Sequence, residues 1–167
     1  MLAIDKRLKA IIAEIQANTL ADIGSDHGKV VVKAVLEKRA KRAVAVDISK
    51  DSLEKARRLS EEYGVVDKIE FLCSDGLKEV KNADCIVIAG MGANEIIKIL
   101  KQKRFERAKY ITIPHQDTSY LRQYLSQNNF CVHKDYIIKD AQKFYHIIVF
   151  EDGLSNYSED ELHTGKN

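Results

Sequence analysis

The sequence has 167 residues, of which 45% are hydrophobic and 31% are charged. This length and composition suit one globular domain and exclude a disordered or fibrous chain. Lys and Arg total 27 against 25 Asp and Glu, but residues 151–167 are acidic and leave residues 1–150 with a net charge of +6, which permits a polyanionic partner.

Apolar residues alternate along the chain between helical spacing and short continuous runs, a pattern typical of an α/β sheet. The first helix is predicted over residues 5–17, where apolar residues from Leu8 to Ile15 recur at helical spacing. Strands follow at residues 20–23, 43–47, 68–73, 84–89 and 110–113, separated by helices at 29–39, 50–63, 92–102 and 118–128. The strands are short and largely apolar, as in a parallel sheet that is covered on both faces.

Residues 130–138 and 144–150 are both strand-like, and only five residues separate them. A link this short cannot hold a crossover helix, so the two strands must form a hairpin in which one strand is antiparallel to the sheet. A mostly parallel seven-stranded sheet with a C-terminal antiparallel hairpin and helices on both faces is the Rossmann-like α/β layout of class I methyltransferases, whereas nicotinamide-binding domains normally keep every strand parallel. We expect this domain over residues 1–150 and an acidic, disordered tail over residues 151–167.

Membrane and metal sites are not expected. No apolar run approaches the roughly 20 residues of a membrane-spanning helix, and the charged first residues do not resemble a signal peptide. Cys73, Cys85 and Cys131 lie far apart and show no metal-ligand spacing, which argues against a disulfide framework or a zinc site. We therefore expect a cytoplasmic protein without a metal.

The clearest motif is the run Asp22-Ile-Gly-Ser-Asp-His-Gly28, placed where the first strand turns into the next helix. Gly24 allows a tight turn and a close approach to a ligand, and Gly28 opens the helix. Asp47 follows 25 residues after Asp22, at the tip of the second strand, where its carboxylate can accept both hydroxyl protons of a ribose. This pair of carboxylates predicts a nucleoside-containing cofactor.

Two further carboxylates favour S-adenosylmethionine over a dinucleotide. Asp26 stands in the loop where it would repel a pyrophosphate but attract the ammonium and sulfonium groups of S-adenosylmethionine. Asp75, within Ser74-Asp-Gly-Leu77 at the end of the third strand, can accept from the exocyclic amine of adenine. The alternative is that these Asp residues only cap helices and form turns.

The run Ile88-Ala-Gly-Met-Gly92 follows the fourth strand, where a methyltransferase places the groups that face the acceptor. It lacks the Asn/Asp-Pro-Pro-aromatic element of enzymes that methylate adenine N6. Gly90 and Gly92 leave a loop of small residues over which a flat ring can lie, and the alternative interpretation is a tight strand-to-helix turn.

Three segments together resemble the bacterial tRNA (adenine-N1)-methyltransferase family that modifies adenine 22 in the D arm: Lys6-Arg-Leu-Lys-Ala-Ile11, Leu20-Ala-Asp-Ile-Gly-Ser-Asp-His27 and Asp84-Cys-Ile-Val-Ile-Ala-Gly-Met-Gly92. The resemblance covers about residues 4–150 and implies an enzyme that uses S-adenosylmethionine to methylate tRNA. It implies cofactor contacts from Asp22, Gly24, Ser25, Gly28, Asp47, Ile48, Asp75, Gly76 and Ala89. The implied catalytic residues are Asp26, His27, Gly90 and Met91, and the residues implied to lie near the RNA are Lys6, Arg7, Pro114 and His115.

Several features depart from that family. Ala93 follows Gly92 where the family usually has a second glycine, and Thr112-Ile-Pro-His115 stands in place of a Thr-Gln-Pro-Asn stretch. Family members also end in a helical domain associated with tRNA binding, so here the basic body, residues 1–150, is expected to carry the RNA contacts. The open alternatives are a methyltransferase of another substrate, a nicotinamide-dependent reductase and an inactive cofactor-binding relative.

Overall fold

A computed structural model describes residues 1–166, in which seven strands and six α-helices occur. The strands are β1 (Ala17–Ile23), β2 (Ala40–Asp47), β3 (Ile69–Cys73), β4 (Cys85–Met91), β5 (Lys109–Pro114), β6 (Phe130–Asp140) and β7 (Lys143–Asp152). The helices are α1 (Lys6–Glu14), α2 (Lys29–Leu36), α3 (Lys50–Glu62), α4 (Ala93–Gln102), α5 (Thr118–Gln127) and α6 (Glu159–Thr164). Every helix and strand predicted from the sequence is present, with bounds that differ by at most three residues.

The first helix is shorter than the apolar pattern predicts. It begins after Asp5, whose carboxylate accepts a hydrogen bond from Leu8 N–H at 2.8 Å. It ends at Glu14, because Ile15 has extended backbone torsions. Ile15 is nevertheless fully buried, so the spacing of apolar side chains continues past the point where the helix stops.

All seven strands join in one sheet with the order β3–β2–β1–β4–β5–β7–β6. The strands β1 to β5 are parallel to one another, whereas β7 is antiparallel to both β5 and β6. This arrangement confirms the predicted terminal hairpin and the mostly parallel sheet. The hairpin loop is shorter than predicted and consists of Ala141 and Gln142, with Ala141 at a φ of 54°.

Helices cover the sheet on both faces and divide the core into two layers. One layer packs α1, α2 and α3 against the sheet through residues such as Ile11, Val31 and Leu53. The other packs α4 and α5 through residues such as Ile96 and Leu121. Burial on both faces explains why the strands are apolar without a polar alternation.

The carboxyl ends of β1, β2, β4 and β5 lie at one edge of the sheet, because these strands are parallel. The order of the strands reverses between β1 and β4: β2 follows β1 on one side, and β5 follows β4 on the other. In open α/β sheets a ligand crevice forms at such a reversal, outside the carboxyl ends of the strands. The loops after β1 and β4 therefore face the same crevice.

The predicted disorder of residues 151–167 differs from the structure. β7 continues to Asp152, and α6 follows with a capping box in which the Ser158 and Glu161 side chains each accept a backbone N–H of the other residue. The helix packs against α5, where the His163 carbonyl accepts a hydrogen bond from the Arg122 guanidinium at 3.1 Å. The acidic composition that predicted disorder thus belongs in part to a capped helix, and Asn167 lies outside the described residues.

The contact between α5, β6 and the last helix is organised by a buried ion pair. The Arg122 guanidinium donates to both carboxylate oxygens of Asp135 at 2.8 and 3.1 Å, and both side chains are almost fully buried. Tyr157 donates its hydroxyl to the same carboxylate at 2.7 Å. These bonds connect α5 and β6 with the segment before α6, and they hold that segment against the sheet.

Membrane-spanning helices and metal-binding clusters can be assessed for the described residues. Within residues 1–166, no helix has the length and apolar character needed to cross a membrane. In the same part of the chain, no three His, Cys, Asp or Glu side chains cluster in a way that could hold a metal ion.

Candidate active site

The loop after β1 is tied to the neighbouring strand and is shaped by Gly24. The Gly24 and Ser25 N–H groups both donate to the Val46 carbonyl, at 2.9 and 3.0 Å. Gly24 has a φ of 71°, and a Cβ atom there would lie 2.7 Å from Met91 Cε. The loop therefore favours glycine at this position for its backbone torsion, since the flexible end of the Met91 side chain can move aside.

Gly28, which is predicted to contact the cofactor, lies where α2 packs closely against α3. It precedes α2 with a φ of 74°, and a Cβ atom there would lie 2.6 Å from Ala56 Cβ in α3. Gly28 does not line the cavity formed by the rest of the loop. The glycine is required because the two helices approach each other closely at this point.

A cavity of about 490 Å³ lies between the loops after β1 and β4. It brings together most of the residues predicted for methyl transfer, which come from segments far apart in the sequence. Those residues are Asp22, Gly24, Ser25, Asp26, His27, Ala89, Gly90 and Met91, and Arg7 of α1 closes one side. The remaining wall comes from Asp5, Leu8, Lys29 and Val30, which the sequence did not single out.

A second cavity, of about 450 Å³, lies beside the first on the β2 and β3 side. It contains the other predicted cofactor residues, Asp47, Ile48, Asp75 and Gly76. Gly24 and Met91 line both cavities. The two cavities are thus neighbouring parts of one cleft, which narrows where the Met91 side chain lies over Gly24.

One wall of the second cavity is formed by α4, whose residues belong to none of the motifs found in the sequence. Glu95, Lys98, Ile99 and Gln102 line it. Gln102 Oε1 accepts a hydrogen bond from Leu77 N–H at 2.7 Å, which holds the loop after β3. These residues were missed because their positions depend on how α4 lies across the sheet, and no local pattern encodes that.

Asp22 is the buried ionisable group of the first cavity. Burial, reinforced by the charges of Asp47 and Asp26, raises its pKa from 3.8 to about 7, and the Ser25 hydroxyl acts in the opposite direction. Ser25 Oγ is itself buried near this carboxyl, close enough to favour its ionised form, but its geometry does not meet that of a hydrogen bond to Asp22 or to any other group within residues 1–166. A buried carboxyl beside an unpartnered hydroxyl can accept a ligand that carries a positive charge and hydrogen-bond donors.

Asp47 lies at the tip of β2 and is positioned by two backbone amides. Its Oδ2 accepts from Asp26 N–H at 3.1 Å, and its Oδ1 accepts from Ser49 N–H at 2.9 Å. Each carboxylate oxygen keeps a further lone pair for a ligand. Ile48, the next residue, is 74% exposed and offers an apolar wall with little protein cover.

Asp75 and Gly76 complete the far end of the cleft after β3. Asp75 is mostly exposed and accepts a hydrogen bond from Lys78 Nζ at 2.6 Å. A Cβ atom at Gly76, whose φ is 66°, would collide with Gln102 Oε1. The left-handed torsion therefore favours glycine here, and a larger residue would displace the end of the Gln102 side chain.

Asp26 and His27 lie at the open side of the first cavity. Asp26 has a φ of 51°, and its carboxylate oxygen lies 3.6 Å from His27 Nε2. More than half of each side chain is exposed. Both groups are consequently available to a ligand that enters from solvent, and neither is held in a buried environment.

The end of β4 exposes backbone rather than side chains. Its pairing with β5 shifts between Ala89 and Met91, so Gly90 has no partner residue on β5 and adopts a φ of 81°. Met91 is held by its carbonyl, which accepts from His115 N–H at 2.9 Å. This bulge directs the backbone of Gly90 toward the cavity that it lines.

The residues predicted to contact RNA lie in different places: Arg7 lines the first cavity, whereas Pro114 and His115 line another one beside the hairpin. Arg7 lines the first cavity, its Nε is buried without a hydrogen-bond partner in the described part of the chain, and its Cζ lies 5.7 Å from the Tyr145 ring centroid. Lys6 N–H donates to Asp140 Oδ2 at 3.1 Å. Pro114 and His115 line a third cavity of about 360 Å³, together with Lys143, Phe144 and Tyr145 of the hairpin.

Comparison with known proteins agrees with this arrangement. A family model described as a methyltransferase domain matches residues 4–148. The tRNA (adenine(22)-N(1))-methyltransferase of Bacillus subtilis is 32% identical over 158 residues, which cover 91% of this chain and 66% of that protein. The chain therefore spans slightly less than two thirds of the length of this curated relative.

Solved structures give the same result. The crystal structure of the B. subtilis tRNA methyltransferase TrmK aligns with a TM-score of 0.85 at 31% identity, over 92% of this chain and 68% of that chain. The structure of M. capricolum TrmK in complex with S-adenosyl-homocysteine aligns with a TM-score of 0.90 at 27% identity, over 98% of this chain and 76% of that chain.

Proposed function

The chain belongs to the methyltransferase-domain family and, within it, to the bacterial tRNA (adenine(22)-N(1))-methyltransferases, and from that premise we propose that it methylates N1 of adenine 22 in tRNA with S-adenosylmethionine. The observation that carries this proposal is the cleft at the β1–β4 reversal. Its two cavities are lined by carboxylates at the ends of β1, β2 and β3. Such a cleft suits a cationic nucleoside better than an anionic dinucleotide.

The two cavities correspond to the two halves of the cofactor. We assign the methionyl half to the first cavity, where the buried Asp22 carboxyl and the Ser25 hydroxyl can meet an ammonium group. We assign the nucleoside to the second cavity, with Asp47 toward the ribose hydroxyls and Ile48 against the base. Asp75 and Gly76 then face the edge of the adenine, and Gly24 and Ala89 leave room for the chain between the halves.

The cofactor supplies an electrophilic methyl group on a sulfonium. Adenine N1 forms the new C–N bond with its in-plane lone pair, while the C–S bond breaks and its electron pair stays on sulfur. No strong base is needed to create the nucleophile, so catalysis consists mainly of bringing the reacting atoms to about 3–3.5 Å. Because base pairing covers N1, the adenine must be unpaired or flipped out of its helix.

The methylated adenine is cationic when it forms, and the protein lowers the energy of that charge. The groups available are the Asp26 carboxylate and the backbone carbonyls of Ala89 and Gly90, all at the first cavity. His27 stands beside Asp26 and can hydrogen-bond the base or order the loop. Met91, at the narrow point of the cleft, positions the acceptor over the methyl group.

The test is transfer of a labelled methyl group from S-adenosylmethionine to an unmodified tRNA transcript, followed by nucleoside analysis. We expect the label in 1-methyladenosine, and we expect its loss when guanosine replaces adenine 22 in the transcript. Label in N6-methyladenosine contradicts the N1 assignment. Binding of S-adenosylhomocysteine without transfer to RNA contradicts the enzyme assignment.

A further inference from the structure

The β6–β7 hairpin extends past the carboxyl edge of the sheet beside the first cavity. β7 pairs with β5 only as far as Thr112–Ile148, whereas its pairing with β6 continues to Asp140–Lys143. In this register His146 is level with Pro114, the last residue of β5, so Lys143, Phe144 and Tyr145 extend past the end of β5 by about 10 Å, at about 3.3 Å per residue. The fold thus places a two-stranded arm next to the site.

The end of this arm combines aromatic rings with cations. We call Lys139, Lys143, Phe144 and Tyr145 the hairpin tip. Phe144 is 65% exposed, and Lys139 Nζ lies 5.5 Å from its ring centroid. Lys143 stands opposite Asp140 in the β-ladder, and that carboxylate is already engaged by the Lys6 amide. The tip therefore presents a mostly exposed ring with the Lys139 cation beside it, and Lys143 is the neighbouring residue in the strand.

The hairpin tip adjoins the site of methyl transfer. Lys143, Phe144 and Tyr145 share the third cavity with Pro114 and His115. His115 is in turn next to Gly90, because a Cβ atom at Gly90 would lie 3.9 Å from His115 Nε2. The third cavity therefore leads from the tip toward the bulge that faces the first cavity.

The hairpin is fixed to α1, which also lines the first cavity. Besides the Lys6–Asp140 bond, Tyr136 donates its hydroxyl to Glu14 at 2.9 Å, and Lys134 Nζ pairs with the same carboxylate at 3.0 Å. These bonds join both ends of α1 to the hairpin. The tip consequently keeps a defined position relative to the cleft.

We propose that the hairpin tip is a nucleic-acid contact surface in which the Phe144 ring stacks on a base next to the target nucleotide, while Lys139 and Lys143 contact the flanking phosphates. The inference rests on the proposed function and specifies how its RNA substrate is held. Proteins that bind unpaired nucleotides combine aromatic platforms with a positively charged groove, as found here. A target nucleotide that leaves its helix also leaves neighbours with unstacked faces, for which the tip provides a surface.

The experiment measures binding of a fluorescent, unmodified tRNA transcript by anisotropy, with S-adenosylhomocysteine present. We expect Phe144→Ala to weaken tRNA binding about tenfold, in the range known for loss of one base–aromatic stack, and Phe144→Trp to restore it. The matched control is Leu154→Ala, because Leu154 is an exposed apolar residue just past the opposite end of the hairpin. Affinity for S-adenosylhomocysteine, measured by calorimetry, should not change in any of these variants.

The charged part of the surface is tested by salt dependence. Replacing Lys139 and Lys143 together by Ala should reduce the slope of log affinity against log salt by about 1–2, since each phosphate contact contributes about 0.7–0.9. The control replaces Lys41 and Lys81, two exposed lysines near the amino-terminal ends of the parallel strands. It should leave the slope unchanged.

The outcomes separate this inference from the proposed function. If the wild-type protein methylates tRNA but Phe144→Ala binds it as tightly as Leu154→Ala does, the hairpin inference is wrong and the proposed function stands. If tRNA receives no methyl group but binds in a way that depends on Phe144, the proposed function is wrong and the tip is still a nucleic-acid surface. Equal tRNA binding by the wild type and all of these variants, with the same salt dependence, would also overturn the inference.

Discussion

Asp22→Asn is expected to stabilise the ligand-free protein while weakening its cofactor binding. Asn has nearly the shape of a protonated carboxyl but does not titrate. In the folded chain, burial is the main cause that raises the Asp22 pKa from 3.8 to about 7. At about 1.4 kcal/mol for each tenfold change in an equilibrium constant, keeping the ionised carboxylate in the fold costs about 4 kcal/mol relative to the unfolded chain.

The pH dependence of this cost follows from the two pKa values. The folded protein keeps the Asp22 proton up to about pH 7, whereas the unfolded chain loses it near pH 4. The contribution of this group to stability is thus present below about pH 4 and is lost as the pH rises to about 7. The stability advantage of Asp22→Asn should therefore grow by about 4 kcal/mol across that interval and then stay constant.

The measurement is urea unfolding of both proteins, free of ligand, from pH 4 to pH 8.5. Subtracting the two free energies of unfolding at each pH removes the contributions of the titrating groups that do not interact with Asp22, because the variants share them. Two parallel stability curves would refute the reasoning. In a second measurement, wild-type affinity for S-adenosylmethionine should rise as the pH passes through 7, because the cationic ligand favours the ionised carboxylate, and Asp22→Asn should lack this rise.

Four further substitutions, one of them a control, test other parts of the structure. Asp47→Ala should weaken binding of S-adenosylhomocysteine by about 1–3 kcal/mol, the cost of unsatisfied ribose hydroxyls, and unchanged affinity by calorimetry would exclude the ribose contact. Asp135→Ala should lower the free energy of unfolding by about 3–5 kcal/mol, because it leaves the buried Arg122 guanidinium without its counter-ion; a loss below about 1 kcal/mol in urea would contradict the buried pair. Gly28→Ala should lower the free energy of unfolding by about 2–4 kcal/mol, since it adds a clash with α3 to the left-handed torsion. The control Gly64→Ala has a similar torsion but open space around the new methyl group, and should lower it by about 1–2 kcal/mol. Equal losses of stability in the two variants would contradict the packing argument.

Some residues of the cleft can be recognised from the sequence alone, whereas the role of others depends on tertiary packing. Asp47 and the Asp22–Gly24 turn stand out in the sequence because their chemistry and their place after apolar strands are local properties. Gly28 looked like part of the same motif, but its Cβ position is filled by α3. A glycine that serves a ligand and a glycine that serves helix packing have the same one-letter signature, and only the neighbouring helix distinguishes them.

The sequence by itself determined the order and type of the elements from β1 to β7, because strands buried on both faces are apolar runs and the helices between them repeat their apolar residues along one face. It also determined that a hairpin ends the sheet, because the link is too short for a crossover. Tertiary structure decided what meets across those elements: the burial that raises the pKa of Asp22, the α4 wall at Gln102, the capped helix held by Arg122, and the projection of Phe144 beside the cleft. These features depend on strand order, register and helix position, which arise from contacts between distant residues and leave no periodicity in the chain.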